Sequence, residues 1–197
     1  MKNRKEMIAE KILDASENRM VKFGYRKVTM DEIAQDLAMS KNTIYLYFRS
    51  KVDIAKALFD RLKKRINERQ GRIEKENKDP LDVISKNILF FQKELSPWFD
   101  HFLKDIKLEL PDVWRDFTDY RKDKIFEIKD LIEKGIKKGV FRKINSSLAV
   151  RVYLGAVESI INPDILEEEQ ISFQEALDTV LNIWSFGILE KRNRRAA

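Results

Sequence analysis

The sequence predicts an all-α protein, and three observations carry the prediction. Only six Gly and four Pro occur in 197 residues, which is little material for tight hairpins. Apolar side chains recur at helical spacing along most of the chain. Between these stretches stand helix-boundary signals: Ser or Thr with an acidic residue three positions on, Gly after the last apolar position, and Pro at breaks. The predicted organisation is a three-helix unit over residues 1–50, a connecting helix over 51–76 and a larger helical part over 77–197.

From Lys5 to Phe23, the residues Ile8, Ile12, Ala15, Met20 and Phe23 approximate an apolar stripe; Ser16 fills the step between Ile12 and Met20, and Gly24 stands at a left-handed C-cap position. A short second helix follows Thr29, which has capping-box spacing with Glu32, and it carries Ile33, Ala34 and Leu37 on one side. A break at Ala38 and Met39 leads to Ser40, an N-cap for a third helix from Lys41 to about Phe48. Ser50 and Asp53 repeat the capping pattern and open a fourth helix to about Glu76. Its stripe of Ile54, Ala55, Leu58, Phe59, Leu62 and Ile66 then thins. Asp79 and Pro80 open a fifth helix to about Leu95, with interruptions at Ser96–Pro97 and Leu110–Pro111. A long pattern from Val113 to Lys138 ends at Gly139. Two last helices, Leu148–Ile161 and Phe173–Leu189, are separated by Asn162–Pro163 and an acidic stretch, Glu167 to Glu169, that reads as a solvated loop. The tail "KRNRRAA" reads as frayed.

The 39 Lys and Arg against 33 Asp and Glu give a net charge of +6. A basic balance suits a polyanionic partner, although interleaved charges of both signs are also what solvated helix faces carry. An apolar content of 43% is enough to bury a core. The absence of Cys excludes disulfides and thiolate metal sites, and His101, the single His, excludes a multi-histidine site. No nucleophile–base pair, phosphate-cradling Gly-rich loop or metal-ligand spacing is present in the sequence, so no catalytic residue, metal or cofactor is expected. The start "MKNRKEMIAEK" has no apolar run of signal-peptide length, and no stretch of about 18 apolar residues occurs. A cytoplasmic location away from membranes is expected.

Two short helices joined by a turn and braced by a preceding helix are the layout of a helix-turn-helix unit, whose second helix enters the major groove of DNA. With Ile44 set inward and about 100° per residue, Ser40 and Phe48 fall close to it, so Ile44 and Phe48 are expected to pin the third helix to the core. Asn42 and Leu46 point almost opposite, Thr43 and Tyr45 flank them, and Lys41 lies at the N-terminal edge. That face fits groove chemistry: Asn pairs with adenine, Lys reaches guanine acceptors, and Leu or Thr methyls meet a thymine methyl. Tyr45 and Tyr47 suit phosphates at the groove walls, and Thr29 and Lys51, each at a helix N-terminus, add phosphate contacts. Packing alone also produces aromatic clusters at helical spacing, and plain solvent exposure also leaves a face empty.

The run from Ile12 to Asp60 resembles the N-terminal domain of the tetracycline-repressor (TetR) family of bacterial transcriptional regulators. The residues that carry the resemblance are Ile12–Leu13 with Ala15, Gly24–Tyr25, Val28–Thr29, Ile33–Ala34, Ser40, Thr43–Ile44–Tyr45, Tyr47–Phe48 and Ser50–Lys51. It implies an all-helical homodimer on an inverted-repeat operator in double-stranded DNA, with Thr29, Lys41, Asn42, Thr43, Tyr45, Tyr47 and Lys51 at positions that contact DNA. Three departures stand out. Ser16 replaces a usual second Ala, Leu37–Ala38–Met39 replaces Ala-Gly-Val in the turn, and Asn42 replaces a frequent Gly. An Ala held at positive φ costs on the order of 1 kcal/mol relative to Gly, which predicts a slightly shifted turn.

Beyond residue 77 no short motif appears, and the resemblance there is architectural. It implies a region that binds an inducer and forms the dimer. Leu148, Val152, Gly155, Ala156 and Ser159 make a small-residue seam, and Leu177, Val180, Leu181, Trp184 and Ile188 make a broad apolar stripe. Val152, Gly155, Ala156, Ser159, Leu177, Leu181, Trp184 and Ile188 are therefore candidate dimer residues, with an intramolecular core as the alternative. Among the dense aromatics from Phe90 to Tyr120, the residues Phe91, Trp98, Phe102, Trp114, Phe117 and Tyr120 are candidate lining for an apolar or aromatic effector. The expected function is a repressor released from its operator by a small molecule between the fourth and seventh helices. Alternatives are a ligand-independent regulator or activator, an enzyme or carrier with an appended DNA-binding unit, and a nonspecific nucleic-acid-binding protein.

Overall fold

The computed structural model describes residues 4–160 and 163–190. Ile161, Asn162 and the tail 191–197, which carry parts of the expected final elements, lie outside the described residues. The helices are α1 (Arg4–Phe23), α2 (Met30–Asp36), α3 (Lys41–Tyr45), α4 (Lys51–Glu76), α5 (Pro80–Trp98), α6 (Lys104–Glu109), α7 (Pro111–Lys137), α8 (Ser146–Ile160), α9 (Pro163–Glu168) and α10 (Phe173–Ile188). A π-helical turn, Phe99–Leu103, links α5 to α6. The fold is all-α; among the described residues the β pairing is confined to an isolated antiparallel bridge between Phe141 and Leu189.

Local chemistry sets the boundaries. Gly24 at φ 86 ends α1, with its N–H donating to the Met20 carbonyl at 2.9 Å. Thr29 and Ser172 close full capping boxes with Glu32 and Glu175 on α2 and α10. Pro111 occupies the first turn of α7, where its missing N–H costs nothing. Two elements differ from the sequence reading. Pro97 lies inside α5 instead of ending it near Leu95; the ladder continues past it and loosens into the π turn at Phe99. The acidic stretch expected as a loop is helical through Glu168, because Pro163 supplies a helix start for α9.

The chain divides into two compact units, one of residues 1–65 with 97–117 and the other of residues 66–96 with 118–197. These divisions fall inside α4, α5 and α7 rather than at residues 50 and 76. In the first unit Ile12, Met20, Ile33, Ile44, Ile54, Leu58 and Leu62 are fully buried. Ser16 is buried with them and returns its hydroxyl to the Ile12 carbonyl at 2.7 Å, so the polar group is satisfied within α1. Trp98, Phe102 and Phe117 complete this core around Phe59, with ring centroids 5.3, 5.8 and 5.1 Å from it. In the second unit Ile73, Ile84, Ile132, Val150, Tyr153, Val157, Leu177 and Trp184 are buried.

Candidate nucleic-acid interface

The turn that joins α2 to α3 sets the site. Ala38 adopts φ 49, so the chain takes the left-handed conformation at this turn despite the Cβ. The Met39 N–H donates to the Ala34 carbonyl at 2.9 Å, which closes the turn on α2. Ser40 then caps α3, its Oγ accepting from the Thr43 N–H at 3.0 Å. Regular α-helix ends at Tyr45, three residues short of the expected Phe48.

Burial around this short helix follows its phase. Ile44 is fully buried, whereas Leu46 is 78% exposed and Tyr45 is 41% exposed. Asn42 is exposed, and among the described residues no hydrogen bond holds its amide. Thr43 and Tyr47 are half-buried, and the Thr43 hydroxyl lies 2.8 Å from that of Ser40. Phe48 differs from the sequence reading: its N–H still donates to the Ile44 carbonyl at 3.0 Å, but its side chain is half-buried, whereas that of Ile44 is fully buried.

Three flanking residues have definite partners. Lys41 pairs with Asp31 of α2 at 2.8 Å, and both side chains are exposed, so the pair is weak and exchangeable for a phosphate or a base. The hydrogen bond that Lys41 donates to the Asp31 carboxylate holds its ammonium above its ordinary pKa. Thr29 is engaged in its capping box, its N–H donating to the Glu32 carboxylate at 2.8 Å and its hydroxyl at 2.9 Å. Lys51 needs a correction. Its ammonium donates to the carbonyls of Tyr25 and Val28 at 2.9 and 2.8 Å and lies 4.2 Å from the Tyr25 ring centroid, so it braces the turn before α2 rather than facing a phosphate. Desolvation lowers its pKa, and Asp105, Glu109 and Glu32 oppose that shift. Arg19 ties α1 to α2 through Asp36 at 2.9 Å and Glu32 at 3.3 Å.

Arg49 and Lys27 were not in the expected set. Both are exposed and flank the α3 face in sequence, in the bend after Phe48 and in the turn before Thr29. Their signal was a cation adjoining each motif.

In the second unit, a cavity of about 80 Å³ is lined by residues of α4, α5, α7, α8 and α10, including Ile66, Phe91, Leu95, Arg121, Ile128, Tyr153 and Leu177. Of the six expected pocket residues only Phe91 lines it. Trp98, Phe102 and Phe117 are buried in the first unit's aromatic core, with Trp114 5.9 Å from Phe117. Tyr120 is half-buried and donates to Asn67 Oδ1 at 3.0 Å. Burial raises the Tyr120 and Tyr153 hydroxyls well above the usual phenol range. Arg121, 5% exposed, has its pKa lowered by desolvation, with Glu158 opposing.

The candidate dimer residues separate into two groups. Leu177, Leu181, Trp184 and Ile188 are buried within their own unit, and the Trp184 indole donates to the Ala149 carbonyl at 2.8 Å. That stripe is core, a correction that follows from α8 packing on it. Val152, Gly155 and Ser159 are exposed, and Ala156 is half-buried. The exposed apolar side chains on α10 are instead Ile183 and Phe186, at 71% and 52%. Their i, i+3 spacing off the inward stripe was the readable sign.

The fold and this surface define a helix-turn-helix transcriptional regulator. Residues 12–58 match the family model of bacterial regulatory proteins, tetR family, so this stretch carries that family's N-terminal domain. It is 22% identical over 171 residues to the HTH-type transcriptional regulator YvaF of Bacillus subtilis (strain 168), covering 86% of this chain and 90% of that one. It is 24% identical over 187 residues to the fatty acid metabolism regulator protein of the same organism, covering 91% and 95%. A transcriptional regulator from Saccharomonospora viridis, solved in complex with choline, superposes with a TM-score of 0.76 at 20% identity over 94% of this chain and 100% of that one, a likeness of fold. Among the described residues no helix is long and apolar enough to cross a membrane.

Proposed function

We propose that this chain is a cytoplasmic repressor that binds a palindromic operator as a homodimer and leaves it when a small molecule enters the cavity of the second unit. It performs no catalysis. The single observation that carries the reading is the division of α3. Ile44 is buried, while Asn42, Tyr45 and Leu46 are presented outward. That outward set has an amide, a phenol and an alkyl group, the functional groups that read base edges and groove walls. Lys41, Thr43 and Tyr47 complete the surface, with Arg49 and Lys27 added as phosphate contacts and Lys51 and Thr29 holding the turn in place. In functional terms residues 1–50 read DNA, 51–76 connect and lend Ile66 and Gln70 to the cavity, and 77–197 supply the rest of the ligand site and the dimer face.

Support for the dimer comes from the exposed apolar side chains Leu148 and Val152 on α8 and Ile183 and Phe186 on α10. A Cβ added at Gly155 would meet nothing within 4 Å, so that position is open to close approach by another helix. A second copy of this chain is the occupant. The choline-bound relative supports a small-molecule site in this fold. Binding-site selection from random duplexes with the purified protein tests the reading: one enriched inverted repeat, bound about a thousandfold more tightly than scrambled DNA, is expected. Equal affinity for both sequences rejects it.

A further inference from the structure

Most of the cavity wall in the second unit is hydrocarbon, from Ile66, Leu95, Ile128, Val157 and Leu177 among others. Arg121 also lines it; this residue is 5% exposed, and its Nε and Nη1 have no hydrogen-bond partner among the described residues. The nearest carboxylate, Glu158, stands 3.8 Å from Nη2, too far for a hydrogen bond, and lies at the same distance from Lys122. A guanidinium does not shed its proton, so burial leaves a charge with idle donors, an arrangement that is costly unless something completes it.

Other charges on the wall are already matched. Lys124 donates to Glu127 at 2.9 and 3.0 Å and to Gln70 Oε1 at 3.0 Å. Gln92 is 3% exposed and fixed through Nε2 to the Gln174 carbonyl at 3.1 Å and Asp178 at 3.2 Å, which leaves Oε1 without a donor. The cavity thus offers an apolar body site, one cation that is loosely paired with Glu158 and has two idle donors, and one neutral acceptor. Its volume of about 80 Å³ holds roughly five to eight water-sized groups, room for an alkyl body of up to about eight carbons.

We propose that the effector is an amphipathic monocarboxylate of short or medium chain, whose carboxylate is bound by Arg121 while its alkyl or aryl body fills the apolar wall. This rests on the reading of the chain as a ligand-responsive regulator. Carboxylate supplies the acceptors that the guanidinium lacks, and charge-assisted bonds of this type are about twice as strong as neutral ones. An alcohol of the same body offers a single neutral acceptor, and an amine adds a second cation beside the first.

The test holds the apolar body constant and varies the head. Octanoate, 1-octanol and octylamine are titrated into the full-length protein by calorimetry, with Arg121→Gln and Arg121→Met alongside. The expected order is octanoate, then octanol, then octylamine, with octanoate favoured over octanol by about tenfold or more. Arg121→Gln brings that ratio to about one while octanol affinity stays within about threefold. A wild-type ratio near one overturns the inference, as does absence of octanoate binding, or a ratio that survives in a folded Arg121→Gln protein. Should both variants unfold, the wild-type ratio decides by itself. Duplex selection with the ligand-free protein separates the two readings: selective DNA binding with a failed head-group ratio overturns the carboxylate inference alone, and loss of DNA selectivity overturns the regulatory reading alone.

Discussion

The indole N–H of Trp98 donates to Glu17 Oε1 at 3.0 Å, and the other oxygen of the same carboxylate is held by Arg61. Glu17 thereby joins α1, α4 and the end of α5 within one unit, and Arg61 also takes Asp14 at 2.6 Å and Glu10 at 3.4 Å. Trp98→Phe keeps a ring against Phe59 but removes the donor and part of the volume. Urea denaturation of the full chain, followed by far-UV circular dichroism, is expected to show a loss of about 2 kcal/mol in the first unit. A loss below about 0.5 kcal/mol would mean that the bond is not made in solution.

Ala38 holds the turn between α2 and α3 at φ 49, a conformation that an L side chain adopts only with strain. Ala38 is exposed, so nothing in the packing opposes removal of its Cβ. Ala38→Gly is expected to stabilise the protein by up to about 1 kcal/mol, or roughly 2–4 °C in Tm. Ala38→Val is expected to destabilise it. A lower Tm for the Gly variant in a thermal melt would show that the turn is not left-handed.

Base reading and phosphate contact separate by residue. Asn42→Ala is expected to cost about 1–3 kcal/mol on the selected operator and to relax preference at one base-pair position of each half-site. Arg49→Gln is expected to weaken all duplexes alike and to reduce the salt slope by about one. The readout is a titration series from low to moderate salt on operator and scrambled DNA. Equal effects of Asn42→Ala on both duplexes would remove it from the base readers.

Acid sensitivity has a stated sign. Glu32 and Glu175 lie below the usual carboxylate range because each accepts from the backbone N–H and the hydroxyl of its cap residue, and Asp36 is lowered by its bond from Arg19. A group with a depressed folded pKa contributes stability that is complete above the unfolded value and is lost as pH falls through the folded one. Tm is therefore expected to be steady near neutral pH and to fall below about pH 4. Glu32→Gln with Glu175→Gln should make that acid limb shallower, and an unchanged limb would exclude the caps as its source.

How much was legible in the sequence depended on the range of the interaction. Gly24, Thr29, Ser40 and Gly139 mark boundaries through bonds to residues a few positions away, and the helices begin or end beside them. The α3 face was legible because one buried residue, Ile44, fixes the phase of a short helix. The position of Lys51 is not legible in the sequence, because its partners, the carbonyls of Tyr25 and Val28, are distant along the chain and carry no side-chain signature. For Trp98, Phe102 and Phe117 the sequence does not separate pocket lining from core, because an aromatic run has the same composition in both; Phe59, on a different helix, is what makes them core. Arg121 was invisible for the converse reason, since one basic residue among many on α7 shows nothing of its burial until its neighbours are known.

The α10 helix has apolar groups on two sides, and they separate its structural role from its role in assembly. Trp184 is buried, bonds to the Ala149 carbonyl at 2.8 Å and lies 5.1 Å from the Tyr153 ring centroid, so Trp184→Glu would place a charge in the core and unfold the unit. Ile183, at 71% exposure, contributes little to that core, and a carboxylate there is solvated in the monomer. In a dimer buried through α8 and α10, the same carboxylate would be forced into an apolar contact. Ile183→Glu is therefore expected to yield a folded monomer by light scattering, with its Tm within a few degrees of wild type extrapolated to low concentration. Gly155→Leu gives an independent check, because its Cβ meets nothing within 4 Å in its own chain. Removing Gly from a helix interior favours the monomer by up to about 1 kcal/mol, while the added side chain holds a partner helix away. A weaker dimer with an undiminished monomer fold is the expected result, and an undisturbed dimer in both variants would move the interface off this face.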